Sequence, residues 1–295
     1  MTFRPSRLVY AQLDSKNPDA EVDHYTSVIG LSAVERSGEF SYLSTGVDHH
    51  NLVLRKASDA KCTTLGFQLP TGTDLAAFDT SLKNQGIKTA KKSDSKPGIG
   101  QMVTFVDPNG FQLEVFVDQT AFGKGFAETG IRPTKLGHIA FNVPDVQEAV
   151  SFYEHTLGFK VSDWMGDFFA FLRCGPDHHT LNFVKGPNTK MHHIAFEVRD
   201  FMHIRDACDR LGQDRIPLIW GPLRHGIGHN IAMYHHDPDK QIVEFYCELD
   251  RVVDGMDTFE PRPTHQEFPQ RSKTWTDIPL AANMWGGLPP ESFLD

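Results

Sequence analysis

Two stretches of the chain are nearly the same: KLGHIAFNVPD at residues 135–145 and MHHIAFEVRD at residues 191–200. Each has a histidine before the shared apolar run, and these histidines, His138 and His193, are 55 residues apart. A short apolar run that ends at a polar turn is typical of a β-strand. The repetition therefore indicates a duplicated structural unit, with an imidazole at the same place in each copy.

The repeat extends to a helix in each half of the chain. The segment AEVDHYTSVIGL at residues 20–31 parallels EAVSFYEHTLGF at residues 148–159, with a tyrosine and a glycine at matching places. The second segment has apolar residues at helical spacing, follows a Pro-Asp start signal and ends at Gly158. Alternating runs such as FSYLSTG and FFAFLRCG come next, and they predict strands after each helix.

Two further pairs of segments complete the repeat. TTLGFQLP matches HHIAFEVR, and VTFVDPNGFQLEVF matches AMYHHDPDKQIVEFY, with Glu114 and Glu244 each seven residues after the aspartate of Asp-Pro. The chain divides into four βαβββ modules at about residues 7–60, 62–118, 136–186 and 190–248. We predict an α+β fold with two domains, each a barrel-like, curled sheet of antiparallel or mixed strands.

Composition limits the class of protein. A chain of 295 residues with 39% hydrophobic and 23% charged residues is typical of a folded protein with two domains. A net charge of −9 without a Lys/Arg run argues against nucleic acid and anionic membrane partners. We expect no membrane span and no signal peptide, because no apolar run is long enough. Four scattered cysteines indicate free thiols and a cytoplasmic protein.

Three equivalent strand positions in the second half carry side chains that bind metals. These are His138, His193 and Glu244, whereas the first half has Tyr10 and Thr64 in the places of the histidines. A single strand histidine is usually a core residue, but three such positions together favour a shared ion. Two neutral imidazoles and one carboxylate form the facial triad that binds non-haem iron and leaves further coordination positions open.

The stretch GPLRHGIGHNIAMYHHDPDKQIVEFY at residues 221–246 is the most specific motif. Its key residues are His225, Tyr234, Asp237, Pro238 and Glu244. Their spacing resembles the signature of type I extradiol (meta-cleaving) ring dioxygenases of the vicinal oxygen chelate superfamily. One position departs from that signature, because Lys240 replaces the usual glycine. Since the glycine serves a turn with positive φ, we expect a differently shaped turn that leaves Glu244 in place.

The resemblance covers nearly the whole chain and implies roles for individual residues. The implied metal ligands, for Fe(2+) or Mn(2+), are His138, His193 and Glu244. The implied catalytic residues are His179, as an acid and base of near-neutral pKa, and His225 and Tyr234, which hydrogen-bond the substrate. His178 and His192 point to the opposite strand faces, so we expect neither to bind metal and His178 to be dispensable. We interpret His229, His235 and His236 as exposed turn residues.

The resemblance also implies the reaction and the domains. It implies an enzyme that inserts both atoms of O2 into a catechol-type diol, with meta ring cleavage, in aromatic catabolism, and that forms a homo-oligomer. Residues 1–120 would be a metal-free scaffold, 121–135 a linker, 136–250 the catalytic domain, and 251–295 a tail that acts as a lid or a subunit contact. Two alternatives share the fold: a glyoxalase-like metal-dependent lyase or isomerase, and a non-catalytic small-molecule binding protein.

Overall fold

A computed structural model of the chain describes residues 3–253 and 255–294. One strand, one helix and three strands follow one another four times along the chain. The predicted α+β class and the βαβββ modules are therefore confirmed. Within the described residues, every helix is too short or too polar to cross a membrane.

The first two modules form one sheet. The first module consists of β1 (Arg7–Ser15), α1 (Pro18–Asp23) with a π-helical turn (His24–Val28), β2 (Ser32–Ser37), β3 (Phe40–Ser44) and β4 (Leu52–Lys56). The second consists of β5 (Lys61–Gln68), α2 (Leu75–Asn84), β6 (Ala90–Lys96), β7 (Ile99–Val106) and β8 (Gln112–Phe116). Their eight strands have the order β2-β3-β4-β1-β5-β8-β7-β6.

The last two modules form a second sheet. The third module consists of β9 (Lys135–Val143), α3 (Val146–Leu157), β10 (Lys160–Met165), β11 (Phe169–Arg173) and β12 (Leu181–Lys185). The fourth consists of β13 (Lys190–Glu197), α4 (Phe201–Gln213), β14 (Leu218–Arg224), β15 (Ile231–His236) and β16 (Ile242–Cys247). The tail adds β17 (Val252–Val253), β18 (Thr258–Phe259), β19 (Thr274–Trp275), α5 (Ile278–Ala282) and α6 (Glu291–Leu294). The sheet order is β14-β15-β16-β13-β9-β12-β11-β10-β19.

Pairing within each module places its first strand beside its last. The parallel pairs are β1 with β4, β5 with β8, β9 with β12, and β13 with β16. A parallel pair needs a long connection, which the helix and the intervening strands supply. The first strands of two modules are neighbours at the centre of each sheet. In the second sheet, β16, β13 and β9 therefore lie side by side.

The chain divides into two compact units. One comprises residues 1–136 and 147–159, and the other comprises residues 137–146 and 160–295. Helix α3 thus belongs to the first unit, although its strands belong to the second. Within the first unit, the Tyr153 hydroxyl donates to the Asp107 carboxylate at 3.0 Å, and the Phe159 and Phe67 rings are 5.7 Å apart. The sequence repeat predicted that α3 belongs to the third module, but it did not predict that α3 packs in the first unit.

The first unit has a buried ion pair where the second has the predicted metal ligands. Glu114 accepts hydrogen bonds from the Tyr10 hydroxyl and, at 2.8 Å, from the Gln112 amide. The Lys96 ammonium is 3.8 Å from the Glu114 carboxylate, and both side chains are buried. Burial lowers the pKa of Lys96, and the charge of Glu114 opposes this effect. In the first unit, the Lys96 ammonium is thus the cation beside Glu114.

The Glu114→Gln variant is expected to bind as much metal as the wild type and to turn over substrate at the same rate. It should also unfold more easily, by about 3 kcal/mol, because Lys96 loses its buried counter-charge. Metal analysis and thermal unfolding of the purified variant measure the two effects separately. Loss of a tightly bound metal equivalent would show that the first unit also holds an ion.

Candidate metal centre and cavity

Three buried side chains meet on the neighbouring strands β9, β13 and β16. His138, His193 and Glu244 are 1%, 6% and 1% exposed. The Nε2 atoms of His138 and His193 are 3.3 Å apart. Oε2 of Glu244 is 3.2 Å from the first of these nitrogens and 3.1 Å from the second. The structure therefore brings together the three residues that the sequence predicts as metal ligands.

This triangle of atoms has the size of a site for one cation. With metal bonds of about 2.1 Å, neighbouring ligand atoms are about 3.0 Å apart in an octahedral site and about 3.4 Å apart in a tetrahedral one. All three edges, from 3.1 to 3.3 Å, lie between these values. Two imidazoles and one carboxylate are a donor set that suits Fe(2+) and Mn(2+).

The protonation states of these side chains also suit a metal. Burial raises the pKa of Glu244, but the imidazoles of His138 and His193 outweigh it and hold that pKa well below its usual range. Burial lowers the pKa of His138 in spite of the nearby carboxylate. At neutral pH the site therefore contains a carboxylate and a neutral His138 ring, the forms in which these side chains bind metals.

Hydrogen bonds orient the His193 ring. Its Nδ1 is 2.7 Å from Nδ1 of His192, whose Nε2 is 2.9 Å from the carbonyl oxygen of Phe293. Burial lowers the pKa of His192 to about 3, so this ring is neutral. Because a carbonyl oxygen only accepts, His192 donates through Nε2 and accepts at Nδ1. His193 then carries its proton on Nδ1 and turns the lone pair of Nε2 towards the triangle.

His192 and Asn230 are site residues that the sequence did not predict. His192 lines the cavity beside the triangle and holds His193, although strand alternation suggested that it faces away. Asn230 donates its amide to Oε1 of Glu244 at 3.1 Å and leaves Oε2 for the two imidazoles. Strand spacing alone did not reveal either contact, because Asn230 lies just before β15 and His192 acts through its neighbour His193.

His179 stands beside the triangle. Its ring centre is 4.3 Å from that of His138, and it lines the cavity, whereas His178 is outside the set of lining residues. Burial, with the charges of neighbouring imidazoles, lowers the pKa of His179 well below its usual range. The ring is therefore neutral and can accept a proton, and the expected near-neutral pKa is wrong.

His225 and Tyr234 form a hydrogen-bonded pair in the cavity wall. His225 donates through Nδ1 to the carbonyl oxygen of Ala282 at 2.7 Å. Its Nε2 therefore accepts from the Tyr234 hydroxyl, 2.8 Å away. Burial and the nearby Glu244 raise the pKa of Tyr234 well above its usual range, so the phenol keeps its proton. The structure thus places both predicted residues at the same cavity as the triangle.

The cavity has a volume of about 490 Å³, within the roughly 300–1,000 Å³ of small-molecule sites. Most of its wall away from the triangle is apolar, and examples are Met165, Phe168, Phe169, Ile278, Leu288 and Phe293. The last three come from the tail, so the tail forms part of the wall. Among the described lining residues, Lys185 is the one lysine or arginine, and its side chain is exposed.

The turn before β16 has the shape of its counterpart in the first unit, although Lys240 stands in the place of a glycine. Lys240 itself adopts the left-handed backbone, with φ of 68°, where the equivalent Gly110 has φ of 89°. Both turns have the same hydrogen bonds: Lys240 N–H donates to the Asp237 carbonyl at 3.0 Å, and Gly110 N–H to the Asp107 carbonyl at 3.1 Å. The expectation of a differently shaped turn is therefore wrong. Lys240 adopts the same left-handed backbone conformation as Gly110, although glycine adopts it more easily.

The interpretation of His229 and His235 as exposed is also wrong. Both are buried, with 1% and 0% exposure, while His236 is half-buried. The Asp250 carboxylate binds Nδ1 of His229 at 2.7 Å and Nε2 of His265 at 3.0 Å. The Arg262 guanidinium is 3.1 Å from the same carboxylate and supplies its counter-charge. This cluster links the tail to the fourth module.

The chain is similar to one family model and to several known enzymes. Residues 135–245 match the model of the Glyoxalase/Bleomycin resistance protein/Dioxygenase superfamily. The chain is 26% identical to a metapyrocatechase of Pseudomonas sp. (strain CF600), over 81% of this chain and 84% of the relative. It is 32% identical to a biphenyl-2,3-diol 1,2-dioxygenase of Paraburkholderia xenovorans, over 61% of this chain and 66% of the relative.

Among solved structures, a Mn(II)-bound glyoxalase from Novosphingobium aromaticivorans superposes with a TM-score of 0.85. The two sequences are 30% identical, and the superposition covers 98% of this chain and 94% of the other. A homoprotocatechuate 2,3-dioxygenase from Brevibacterium fuscum superposes with a TM-score of 0.83 at 25% identity, over 99% of this chain and 92% of the other. The chain is therefore an enzyme of the Glyoxalase/Bleomycin resistance protein/Dioxygenase superfamily and is similar to extradiol ring-cleavage dioxygenases of that superfamily.

Proposed function

We propose that the chain is an Fe(2+)-dependent extradiol dioxygenase that cleaves an apolar, ring-substituted catechol in aromatic catabolism. The triangle of His138, His193 and Glu244 in the wall of a cavity carries the proposal. His179, which can move a proton, and Tyr234, which can hydrogen-bond a substrate oxygen, line the same cavity. The names of the metapyrocatechase and biphenyl-diol dioxygenase relatives support a diol substrate.

When bound, the metal ion would lower the pKa of a substrate hydroxyl and hold the diol and O2 together. The neutral ring of His179 would accept a proton from the second hydroxyl and later return one. The Tyr234 oxygen would accept a hydrogen bond from a substrate hydroxyl, and His225 would hold Tyr234 in place through the bond to its own Nε2. The apolar wall would exclude water and strengthen these interactions.

The choice of metal is part of the proposal. The donor set suits Fe(2+) and Mn(2+) equally, and the relative from Novosphingobium aromaticivorans holds Mn(II). Fe(2+) is proposed because a more distant relative is described as an iron-dependent extradiol dioxygenase. Anaerobic reconstitution of the metal-free protein with each ion, followed by turnover assays, tests this choice. Turnover with Mn(2+) alone would refute the iron assignment and leave the reaction unchanged.

The reaction is tested by adding a catechol to the reconstituted enzyme in an oxygen electrode. Uptake of one O2 per diol, with the colour of a ring-cleaved product, is the expected result. A glyoxalase-like lyase or isomerase is the second candidate, because one solved relative is described as a glyoxalase. Such an enzyme consumes no O2, and a binding protein would bind the diol without turnover.

The cavity wall predicts a preference among substituted catechols. We expect kcat/KM for 4-isobutylcatechol to exceed that for 3,4-dihydroxyphenylacetate, which has nearly the same shape, by at least about 100-fold. The reason is that a carboxylate in this wall would be buried without a matching charge, whereas each buried methylene contributes about 0.8 kcal/mol, or roughly fourfold. Steady-state oxygen uptake measures both values. Equal values would mean that Lys185 reaches the substrate carboxylate.

We also propose that the enzyme is a cytoplasmic homo-oligomer. The four cysteines are free, three of them buried, which agrees with a reducing compartment. Sedimentation equilibrium of the metal-loaded enzyme tests the oligomeric state.

A further inference from the structure

Three buried side chains, Asp163, His178 and His179, form a hydrogen-bonded series that ends at His179. Oδ2 of Asp163, on β10, is 3.1 Å from Nε2 of His178. Nδ1 of His178 is 2.9 Å from Nδ1 of His179. The three side chains are 2%, 0% and 3% exposed. The backbone N–H of His178 also donates to the Asp250 carbonyl at 2.8 Å, which fixes the position of His178 between the other two side chains.

The direction of these hydrogen bonds follows from the partners of Asp163. Its Oδ2 accepts from Nε1 of Trp275 at 3.0 Å, and its Oδ1 accepts from the backbone N–H of Lys273 at 2.7 Å. A carboxylate surrounded by donors is itself an acceptor, so His178 donates to it through Nε2. With the His178 proton on Nε2, its Nδ1 is the acceptor, and His179 donates through its own Nδ1.

We propose that Asp163 and His178 are positioning residues that hold His179 in the tautomer whose Nε2 lone pair is free for the substrate. The inference rests on the proposed function, in which His179 accepts the proton of a substrate hydroxyl. An imidazole without such partners exchanges between two tautomers, and only one of them is a base at Nε2. His178, which the sequence suggested is dispensable, thereby acquires a role without touching the substrate.

The first unit contains an equivalent series of hydrogen-bonded side chains, formed by Glu35, His49 and His50. Nε2 of His49 is 3.4 Å from Glu35, and its Nδ1 is 3.0 Å from Nδ1 of His50. The His50 ring lies 4.6 Å from that of Tyr10, which stands in the place of His138. This copy adjoins a pair of side chains, Tyr10 and Glu114, that form a hydrogen bond with each other. The Glu35 side chain is 41% exposed whereas Asp163 is buried, so the first-unit copy shares the hydrogen-bond pattern but not the buried carboxylate. Substitutions in this copy serve as controls away from the cavity.

The sharpest variant is Asp163→Asn. Asparagine has one acceptor oxygen in place of two. In the orientation that keeps the Lys273 bond, its NH2 group faces Nε2 of His178 and reverses both ring tautomers, and in the other orientation the Lys273 N–H loses its acceptor. A comparable aspartate-to-asparagine change in serine proteases lowers kcat by about 10⁴ through the wrong histidine tautomer. We expect a loss of about 10²–10⁴ in kcat here, with KM within about threefold and metal content unchanged. The matched control, Glu35→Gln in the first unit, should keep kcat within about twofold.

A second pair of variants separates the hydrogen bond from the packing. His178→Phe fills the space but cannot accept from His179, so kcat should fall by about 100-fold. His178→Asn can place its amide oxygen near the position of Nδ1 and should recover most of that loss. His49→Phe repeats the first change in the control copy and should keep wild-type kcat. These variants keep the inference testable if Asp163→Asn does not fold.

A direct readout is the ¹⁵N spectrum of the histidine rings in the full-length protein loaded with diamagnetic Zn(2+). We expect the wild-type His179 to carry its proton on Nδ1 and Asp163→Asn to move it to Nε2. Normal kcat in folded, metal-loaded His178→Phe, or an equal loss in His49→Phe, would overturn the positioning role. Full turnover of His179→Asn would instead defeat the proposed function of His179, so the two failures are distinguishable.

Discussion

The Glu244→Ala variant is expected to lose nearly all bound metal and, with it, catalytic turnover. Glu244 is the anion of the triangle, and without it two imidazole nitrogens 3.3 Å apart must hold a divalent ion alone. Even groups that only orient metal ligands are worth about 10–100-fold in metal affinity, so the loss of a ligand should exceed about 100-fold. His138→Ala and His193→Ala should behave alike, because each also leaves two ligands.

Elemental analysis after dialysis, together with oxygen uptake on a catechol, measures both effects. Glu114→Gln is the matched control, because Glu114 has the same place in the first unit and the Lys96 ammonium beside it. Each alanine variant should retain less than about a tenth of the wild-type metal content, given this loss of affinity. A variant that kept full metal and full turnover would show that its residue is not a ligand.

His179→Asn is expected to bind metal and catechol normally and to turn over about 10²–10⁴ times more slowly, the usual effect of losing a positioned acid and base. The neutral ring of His179 lies beside the triangle but outside it, so metal should remain. The rate of a single turnover after mixing with O2 measures the loss. Retained catechol binding, followed by titration of the anaerobic enzyme, separates proton transfer from substrate affinity.

An electron-poor nitrocatechol provides the control for this variant. It reaches the enzyme already ionised and needs no base, so His179→Asn should slow it less than it slows catechol. Equal losses on both substrates would mean that His179 acts in some way other than as a base. A dispensable His179 beside an essential His178 would mean that the two rings have exchanged roles.

The sequence predicted the βαβββ modules and the metal triangle because both are properties of single strands repeated along the chain. His138 and Glu244 are 106 residues apart, yet each occupies a defined place in its module, and the modules pair in a regular way. The Asp-Pro turns could be aligned for the same reason. Lys240 shows the limit of such reasoning, since it adopts the turn that its residue type disfavours.

Contacts that depend on tertiary packing could not be predicted. The chain pattern gave no sign that His192 would meet Phe293, 101 residues away, or that Trp275 would meet Asp163, 112 residues away. Each of these bonds joins a module to the tail, which has no repeat to guide an alignment. The burial of His229 has the same origin, because its partner His265 also lies in the tail.

His193 is oriented through His192 by the carbonyl of Phe293, so the orientation of this ligand depends on a residue that is synthesised after all three ligands. All three ligands have been made once residue 244 is added, but Phe293 follows 49 residues later. At about 5–20 residues per second, a ribosome needs roughly 2–10 seconds for this interval. A cation that binds before the tail docks would meet a histidine whose ring is not yet held, and its binding would follow intrinsic affinity, which favours copper and zinc over iron and manganese. Docking of Phe293 fixes the orientation of the His193 ring that the finished site presents to an ion.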